Sequence, residues 1–151
     1  MSNKRQIIPI AGLLATVGLA CYMVVQLSAQ AAPNVTGDFR NAAMAEIRDA
    51  QGRTVLQGQF AVAPEDDDDI ERKATLKPTG VDADAKGEAE VEFAKTGDVN
   101  QEVEFSATGL DPGAKFACVI DGQTLATVTA DKGGKAEVEL EVKLSSPSAS
   151  R

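Results

Sequence analysis

Hydrophobic and polar residues alternate with a period of two along much of the chain. The alternation is clearest at Glu88–Phe93, Glu102–Thr108 and Ala136–Leu144. Ala, Val, Leu or Phe would face one side there and Glu, Ser, Thr or Lys the other, which is typical of a strand with one hydrated side. Further strands are predicted at Ala42–Arg48, Thr54–Val62, Ile70–Lys77, Lys115–Ile120 and Gln123–Ala130. Ala42–Arg48 also has the propensity of a short helix, but a strand is preferred because Arg53–Val62 follows across a turn.

Turn-forming residues separate these segments. Asp, Gly and Pro recur at Asp49–Gly52, Pro78–Gly80, Thr96–Asp98, Asp111–Gly113, Asp121–Gly122 and Lys132–Gly134. About eight short strands at close spacing predict an all-β fold, an antiparallel β-sandwich of Greek-key or immunoglobulin-like type. We expect this single domain at residues 38–144, after a linker at 32–37 and before a disordered tail at 145–151.

An internal repeat lies within this pattern. Residues 83–93 and 130–140 share the sequence A-D-x-x-G-x-A-E-V-E-[FL], and each follows a similar strand core, Ala74–Leu76 or Ala126–Val128. The Asp can accept bonds from nearby amides and the Gly permits a positive φ, so each copy predicts a β-hairpin. We expect four hydrophobic side chains of the repeat to be buried: Val91, Phe93, Val138 and Leu140.

The segment Val103–Val119 resembles the corner L-x-P-G-x-x-[YF] between two strands of fibronectin type III modules. It is also similar to the G-L-x-P-G segment of CHRD domains. The resemblance implies a Greek-key-like sandwich. It carries over no residue role, because Phe116 replaces the tyrosine of a tyrosine corner and the chain has no His for the pair expected in CHRD domains.

The N-terminus has the order of residues found in a secretory signal. Lys4 and Arg5 precede an uncharged apolar run from Ile10 to Leu27, and Ala29–Ala31 matches the A-x-A pattern for cleavage before Ala32. The run is eighteen residues long, which also reaches the length of a membrane span. Residues 1–31 are therefore predicted to be either a signal peptide or an uncleaved N-terminal anchor helix.

Both interpretations export the domain that follows. Lipid attachment at Cys21 is a third alternative, although Gly18–Ala20 before it departs from the usual lipobox order. We expect a periplasmic, envelope-associated or secreted protein. Only residues 7–27 would contact the membrane, and only if they are not removed.

The chain is acidic, with 23 Asp and Glu against 15 Lys and Arg. Without residues 1–31 the basic count falls to 13, which gives a net charge of −10. Phosphate and anionic lipid headgroups would repel such a domain, so nucleic acid is excluded as a partner. Solubility outside the cytoplasm is the simplest explanation of this charge.

Composition also removes most enzyme chemistry. The chain has no His and no Trp, so histidine triads and imidazole–zinc sites are excluded, and no G-x-S-x-G motif is present. After cleavage Cys118 would be the only cysteine; without a His to activate it, we expect a buried, inert thiol. The five Phe are expected mostly at inward positions, which argues against sugar binding. We expect no enzyme and no cofactor, with a paired-carboxylate hydrolase as the remaining catalytic alternative.

The acidic run Glu65–Asp69 is the candidate metal site. Ca²⁺ prefers several oxygen ligands, and four side chains could supply them: Asp66, Asp67, Asp68 and Asp69. Ordered calcium loops space their ligands and include Gly, whereas this run does neither, so a solvated loop is preferred and calcium binding is the alternative. Asp82–Gly87 begins like a calcium loop, but Lys86 occupies its third ligand position, so it is predicted to be a hairpin turn.

Three of the predicted strands carry glutamates on their hydrated sides: Glu88, Glu90 and Glu92; Glu102 and Glu104; Glu137, Glu139 and Glu141. Like charges directly opposite each other destabilise a sheet. We therefore expect that these strands are not all neighbours unless Lys, Arg or a bound cation lies between them. Together, the sequence predicts a monomeric, non-catalytic, exported module that is structural or binds an unidentified protein partner.

Overall fold

The structure is a computed structural model, and it describes residues 30–31, 35–62, 69–94 and 100–144. Ten strands lie in these ranges: β1 (Gln30–Ala31), β2 (Met44–Asp49), β3 (Thr54–Gln59), β4 (Ala61–Val62), β5 (Asp69–Pro78), β6 (Lys86–Ala94), β7 (Asn100–Thr108), β8 (Lys115–Ile120), β9 (Gln123–Thr129) and β10 (Ala136–Lys143). None of the residues described is helical, and so none forms a helix that could cross a membrane. The apolar run Ile10–Leu27 lies outside these ranges.

The strands form one antiparallel sheet in the order β1-β9-β8-β2-β3-β5-β6-β7-β10, with β4 beside β5. The sheet turns at β5, because Lys77 and Pro78 pair with β3 whereas Asp69–Leu76 pairs with β6. It nearly closes into a barrel. Thr36 pairs with Lys143 of β10, and its carbonyl accepts a hydrogen bond of 3.0 Å from Nε2 of Gln123 in β9. Thr36 lies in the predicted linker and contacts both β9 and β10.

The inner side of this sheet is the hydrophobic core. In β10 every second residue is buried, from Ala136 to Val142, while the residues between them are exposed. The same alternation runs through β7, where Val103, Phe105 and Ala107 are buried. Burying a Val, Leu or Phe side chain contributes about 1.5–3 kcal/mol, so this apolar side is the main source of stability.

The structure confirms the all-β, antiparallel prediction and all eight predicted strand positions, with small shifts at the ends. Ala42–Arg48 is a strand, as preferred, because β2 covers most of it. The predicted strand Thr54–Val62 is divided at Phe60, whose N–H donates to the carbonyl of Ala43 (3.0 Å) and whose ring is buried. β1 was not predicted as a strand.

The repeat is a turn followed by a strand in both copies, but only the first is a hairpin. β5 pairs with β6 across the turn at residues 79–85. β9 does not pair with β10; instead β10 lies against β7. The hairpin predicted for the second copy is therefore wrong. The reason is that β7 accepts β6 on one edge and β10 on the other, so both copies pair with the same strand.

The geometry of the turn in the second copy, between β9 and β10, explains why β10 lies against β7. Oδ1 of Asp131 accepts bonds from the amides of Gly133 (2.7 Å) and Lys135 (2.8 Å). The N–H of Leu110 donates to the carbonyl of Gly134 at 3.0 Å. Gly134 has φ +75°, and a Cβ there would lie 2.4 Å from the carbonyl oxygen of Leu110. Only Gly fits, and the bond to Leu110 ties β10 to the end of β7.

The hydrophobic positions of the repeat follow the prediction with one exception. Val91, Val138 and Leu140 are buried, whereas Phe93 is only partly buried against the core. The segment that resembles a fibronectin type III corner leads from β7 to β8, two strands that are not neighbours. Its residue Leu110 is buried.

Candidate functional site

Strands β5, β6, β7 and β10 are consecutive neighbours, and their outer sides carry nine glutamates that we call the acidic face: Glu71, Glu88, Glu90, Glu92, Glu102, Glu104, Glu137, Glu139 and Glu141. The strand registers set many of these carboxylates directly opposite one another. One row across the strands is Glu71, Glu92, Glu102 and Glu141, and the next is Lys73, Glu90, Glu104 and Glu139.

The three glutamate-bearing strands are all neighbours, which the sequence analysis did not expect of strands that have no Lys, Arg or bound cation between them. Five pairs of glutamates lie directly opposite each other: 71 with 92, 92 with 102, 102 with 141, 90 with 104, and 104 with 139. Among the described residues, no Lys or Arg lies between β6, β7 and β10 within these rows. Charge repulsion does not decide which strands pair in this sheet.

Burial on the opposite side of the same strands explains the outcome. Phe105 of β7 lies between Ala89 and Val138, and Val103 lies between Val91 and Leu140, all facing the core. A slip of one residue would expose this whole set. A slip of two residues keeps it buried but leaves glutamate opposite glutamate, because acids recur at every second position. Each cross-strand charge pair costs about 0.2–1 kcal/mol, less than one buried side chain contributes.

Among the described residues, lysines pair with the acidic face on strand β5 and at the start of β10. Nζ of Lys73 lies 2.5 Å from Oε1 of Glu71 and 3.4 Å from Oε2 of Glu90. Lys135 pairs with Glu137 at 2.6 Å at one end of β10. None of the ion pairs between described residues includes Glu102, Glu104 or Glu139. The centre of the acidic face therefore keeps its negative charge.

The proximity of these carboxylates changes their affinity for protons. Burial, together with a hydrogen bond to Glu71 and its negative charge, raises the pKa of Glu90 to about 7. The pKa of Glu71 is lowered by its hydrogen bonds to Glu90 and Lys73. Glu90 thus holds the proton that this pair shares. Burial and the charges of Glu139, Glu92 and Glu104 also raise the pKa of Glu102.

A depression of about 350 Å³ lies at one end of the acidic face, lined by Glu92, Phe93, Ala94, Asn100, Gln101, Glu102, Glu139 and Glu141. Gln101 is buried; its Oε1 accepts from the N–H of Phe39 (2.7 Å) and its Nε2 donates to the carbonyl of Gly37 (3.0 Å). These bonds hold the base of β7 in place. Carboxylates beside apolar atoms of Phe93 and Ala94 suit a Lys or Arg side chain, whose methylenes and charged end need both.

A second groove of about 630 Å³ lies at the opposite end of the strands, between the loops that follow β2, β5 and β7. Asp49, one of the three aspartates that line it, accepts bonds from the amides of Gln51 and Arg53 and from Nε of Arg53. Val81, 42% exposed, also lines this groove. Asp49 and Arg53 therefore hold the turn after β2 together.

The side chains named from sequence as a candidate metal site lie outside the part of the chain that the structure describes. Asp66, Asp67 and Asp68 lie outside the described residues, and Asp69 begins β5 with its side chain also outside them. In the ranges that are described, no three or more His, Cys, Asp or Glu side chains are placed to hold a metal ion. The turn Asp82–Gly87 joins β5 to β6, as predicted.

Cys118 and the phenylalanines are where the sequence places them. Cys118 is buried in the core, and burial raises the pKa of its thiol to about 12. A thiol with that pKa is protonated at neutral pH and is a poor nucleophile. Four of the Phe rings are buried and Phe93 is partly buried, so none forms an exposed stacking platform.

No family model, curated protein or solved structure matches the chain. The acidic face is therefore interpreted from its own geometry. Sequence reasoning named all of its glutamates except Glu71, but it did not bring them together. The repeat is the sequence signal that could have predicted this arrangement, because two segments with the same A-E-V-E pattern can pair with the two edges of one strand.

Proposed function

We propose that this protein is a non-catalytic, exported β-sandwich module that binds a basic surface of another protein through the acidic face. One observation carries the proposal: five directly opposed glutamate pairs lie on one exposed side, and Lys73 is the only basic residue described in their two rows. A partner that brings Lys or Arg to these rows would turn repulsion into attraction. Charge complementarity of this kind speeds association and selects the partner.

The shape of the acidic face favours a protein partner over a single ion. Neighbouring strands are about 4.8 Å apart, so the glutamates form an extended array four strands wide. A metal site needs ligands that converge on one point, and the described carboxylates do not do so. The depression beside Glu92 and Glu139 would receive one basic side chain, while the rest of the array contacts others.

The architecture that we propose is a Greek-key, immunoglobulin-like sandwich. Two connections support it, because the links from β7 to β8 and from β9 to β10 each join strands that do not pair. The links from β5 to β6 and from β6 to β7 join strands that do pair. Export rests on the N-terminal sequence, where Lys4 and Arg5 precede the apolar run.

The test is a pull-down from the cell-envelope fraction with the exported protein as bait. The original is compared with a variant whose central acids are neutralised, Glu102→Gln, Glu104→Gln and Glu139→Gln. We expect the original to retain a basic protein that the variant loses. Retention should also fall as added salt shortens the Debye length from about 10 Å to about 3 Å.

A matched control separates the acidic face from overall charge. Asp38→Asn, Asp84→Asn and Asp111→Asn remove the same amount of charge at exposed positions outside the acidic face. This control should retain the partner. If all three baits retain the same proteins, or if retention is indifferent to salt, the acidic face does not bind the partner.

A further inference from the structure

The groove of about 630 Å³ lies where three connections meet at one end of the nearly closed sheet. These are the turn between β2 and β3, the turn between β5 and β6, and the link between β7 and β8. Ligand sites of about 300–1,000 Å³ occur at the mouths of β-barrels, and most of them are formed before the ligand binds. The size and the place of this groove therefore suit a small ligand.

Hydrogen bonds and close packing hold the walls of the groove in place. The N–H of Thr79, directly after β5, donates to the carbonyl of Val55 at 3.0 Å, which ties the β5–β6 turn to β3. Gly109 in the β7–β8 link has φ +74°, and a Cβ there would lie 2.4 Å from the carbonyl oxygen of Asp84. The link therefore packs directly against the β5–β6 turn, and the fold itself shapes the groove.

The acids and the bases of the groove come from different parts of its rim. Asp82 and Asp111 belong to the two connections that pack together at Gly109, and we call them the acidic wall. Arg53 belongs to the β2–β3 turn and Lys115 begins β8, which pairs with β2; these two are the basic wall. None of the ion pairs between described residues includes Asp82, Asp111 or Lys115.

Arg53 has donors left for a carboxylate. Its Nε donates to Oδ2 of Asp49 at 2.7 Å, whereas its two terminal nitrogens have no hydrogen bond to a described residue. The side chain is 63% exposed. The parallel N–H groups of a guanidinium match the two oxygens of a carboxylate. Asp49 therefore holds a side chain that can still bind one.

The remaining surface of the groove is apolar. Val55 and Phe116 line it from the core, where both are buried. Val81 lines it from the β5–β6 turn, and among the described residues only Val62 and Val81 are large hydrophobic side chains that are exposed. An apolar group in the groove would cover Val81 and remove its surface from water, which is favourable.

We propose that this groove binds a short peptide with free termini and an apolar side chain. The peptide carboxylate pairs with the basic wall, the ammonium group pairs with the acidic wall, and the apolar side chain covers Val81. A simple anion, cation or hydrocarbon would leave at least one wall unpaired. A free amino acid carries both charges on one carbon, whereas each further residue separates them by up to about 3.3–3.6 Å. Walls on different connections therefore favour a peptide.

The experiment is isothermal titration calorimetry of the full chain in a non-ionic detergent, with the tripeptide alanyl-leucyl-alanine as the probe. We expect saturable binding above the heat of a titration into detergent alone. Acetylating the N-terminus and amidating the C-terminus removes both charges, and alanyl-seryl-alanine lacks the apolar side chain. Each change should weaken binding at least about tenfold. Free leucine should also bind at least about tenfold more weakly, because its two charges are too close together to reach both walls.

Matched variants connect the binding to the groove. Asp111→Asn with Lys115→Gln removes one charge from each wall and leaves the net charge unchanged. Asp84→Asn with Lys132→Gln makes the same change at exposed positions that do not line the groove. The first pair should weaken binding of the tripeptide at least about tenfold, and the second pair should not change it.

Further measurements keep the test decisive. Lys115→Gln alone replaces the first pair if far-UV circular dichroism shows that the pair does not fold. The absence of saturable binding, equal affinity for the free tripeptide and its capped form or leucine, or equal affinity of the two paired variants would overturn the proposal. The acidic face and its depression lie at the other end of the strands. Retention of the basic partner in the pull-down should therefore not depend on the groove variants, and the two proposals can fail separately.

Discussion

The two sides of the sheet formed by β5, β6, β7 and β10 differ in what determines them. On the inner side Phe105 packs between Ala89 and Val138, and almost no water reaches it. On the outer side of the same strands Glu104 lies between Glu90 and Glu139, an arrangement that costs stability. The difference shows that burial of the inner side chains determines the strand register, and that the glutamates lie opposite each other as a consequence of that register.

The largest effect should come from the inner side. Phe105 is 1% exposed, so Phe105→Ala is expected to lower the free energy of unfolding by about 3–5 kcal/mol, the usual cost of removing a buried Phe ring. Phe93→Ala should cost less, because part of that ring already contacts water. Urea denaturation of both variants measures the difference. Equal losses would show that Phe93 is as much a core residue as Phe105.

These residues also show how far the sequence could predict the structure. Period-two alternation depends only on neighbouring residues, so it located eight strands and the buried residues Val91 and Val138. Which strands pair depends on contacts distant in the chain, and both copies of the repeat carry the same pattern. The sequence therefore could not separate the hairpin at β6 from the crossover into β10. β1 was not predicted as a strand because its two residues belong to the predicted cleavage motif.

Neutralising a glutamate on the outer side should increase stability, whereas truncating a core side chain decreases it. Glu104→Gln removes the charge from two directly opposed glutamate pairs, and should raise the free energy of unfolding by about 0.5–1 kcal/mol in low salt. Glu88→Gln is the matched control, because Glu88 lies opposite Thr75 and Ser106. It should change stability little. If Glu104→Gln instead lowers the free energy of unfolding, the charge of Glu104 takes part in a stabilising interaction, and repulsion does not dominate in the acidic rows.

A smaller effect should appear as a dependence on pH. The pKa of Glu90 is raised in the fold from 4.5 to about 7, so the folded protein binds more protons than the unfolded chain between these values. The stabilisation is complete below about pH 4.5 and is lost as the pH rises through about 7. The pKa of Glu71 is lowered, so its contribution is lost only at more acidic pH. Urea denaturation between about pH 5 and pH 8 therefore follows Glu90 without a contribution from Glu71.

Two variants identify the group responsible for this slope. Glu90→Gln should flatten the fall in stability between about pH 5 and pH 8, although Glu102, whose pKa is also raised, should leave a remainder. Glu88→Gln should keep the whole slope. A profile that rises with pH across this range, or one that Glu90→Gln does not change, would show that the acidic face does not hold a proton at neutral pH.

The smallest expected effect concerns calcium and separates two kinds of acidic sequence. The run Glu65–Asp69 has neither the ligand spacing nor the Gly of a calcium loop, so replacing Asp66 through Asp69 with Ser should not change how the Tm responds to calcium. A true site would raise the Tm of the original through mass action, by RT ln(1 + [L]/Kd), and the Ser variant would lose that rise. Screening of the acidic face should give a small rise in both proteins. Sodium chloride at equal ionic strength should reproduce that rise, and a calcium response confined to the original would instead make this run a metal site.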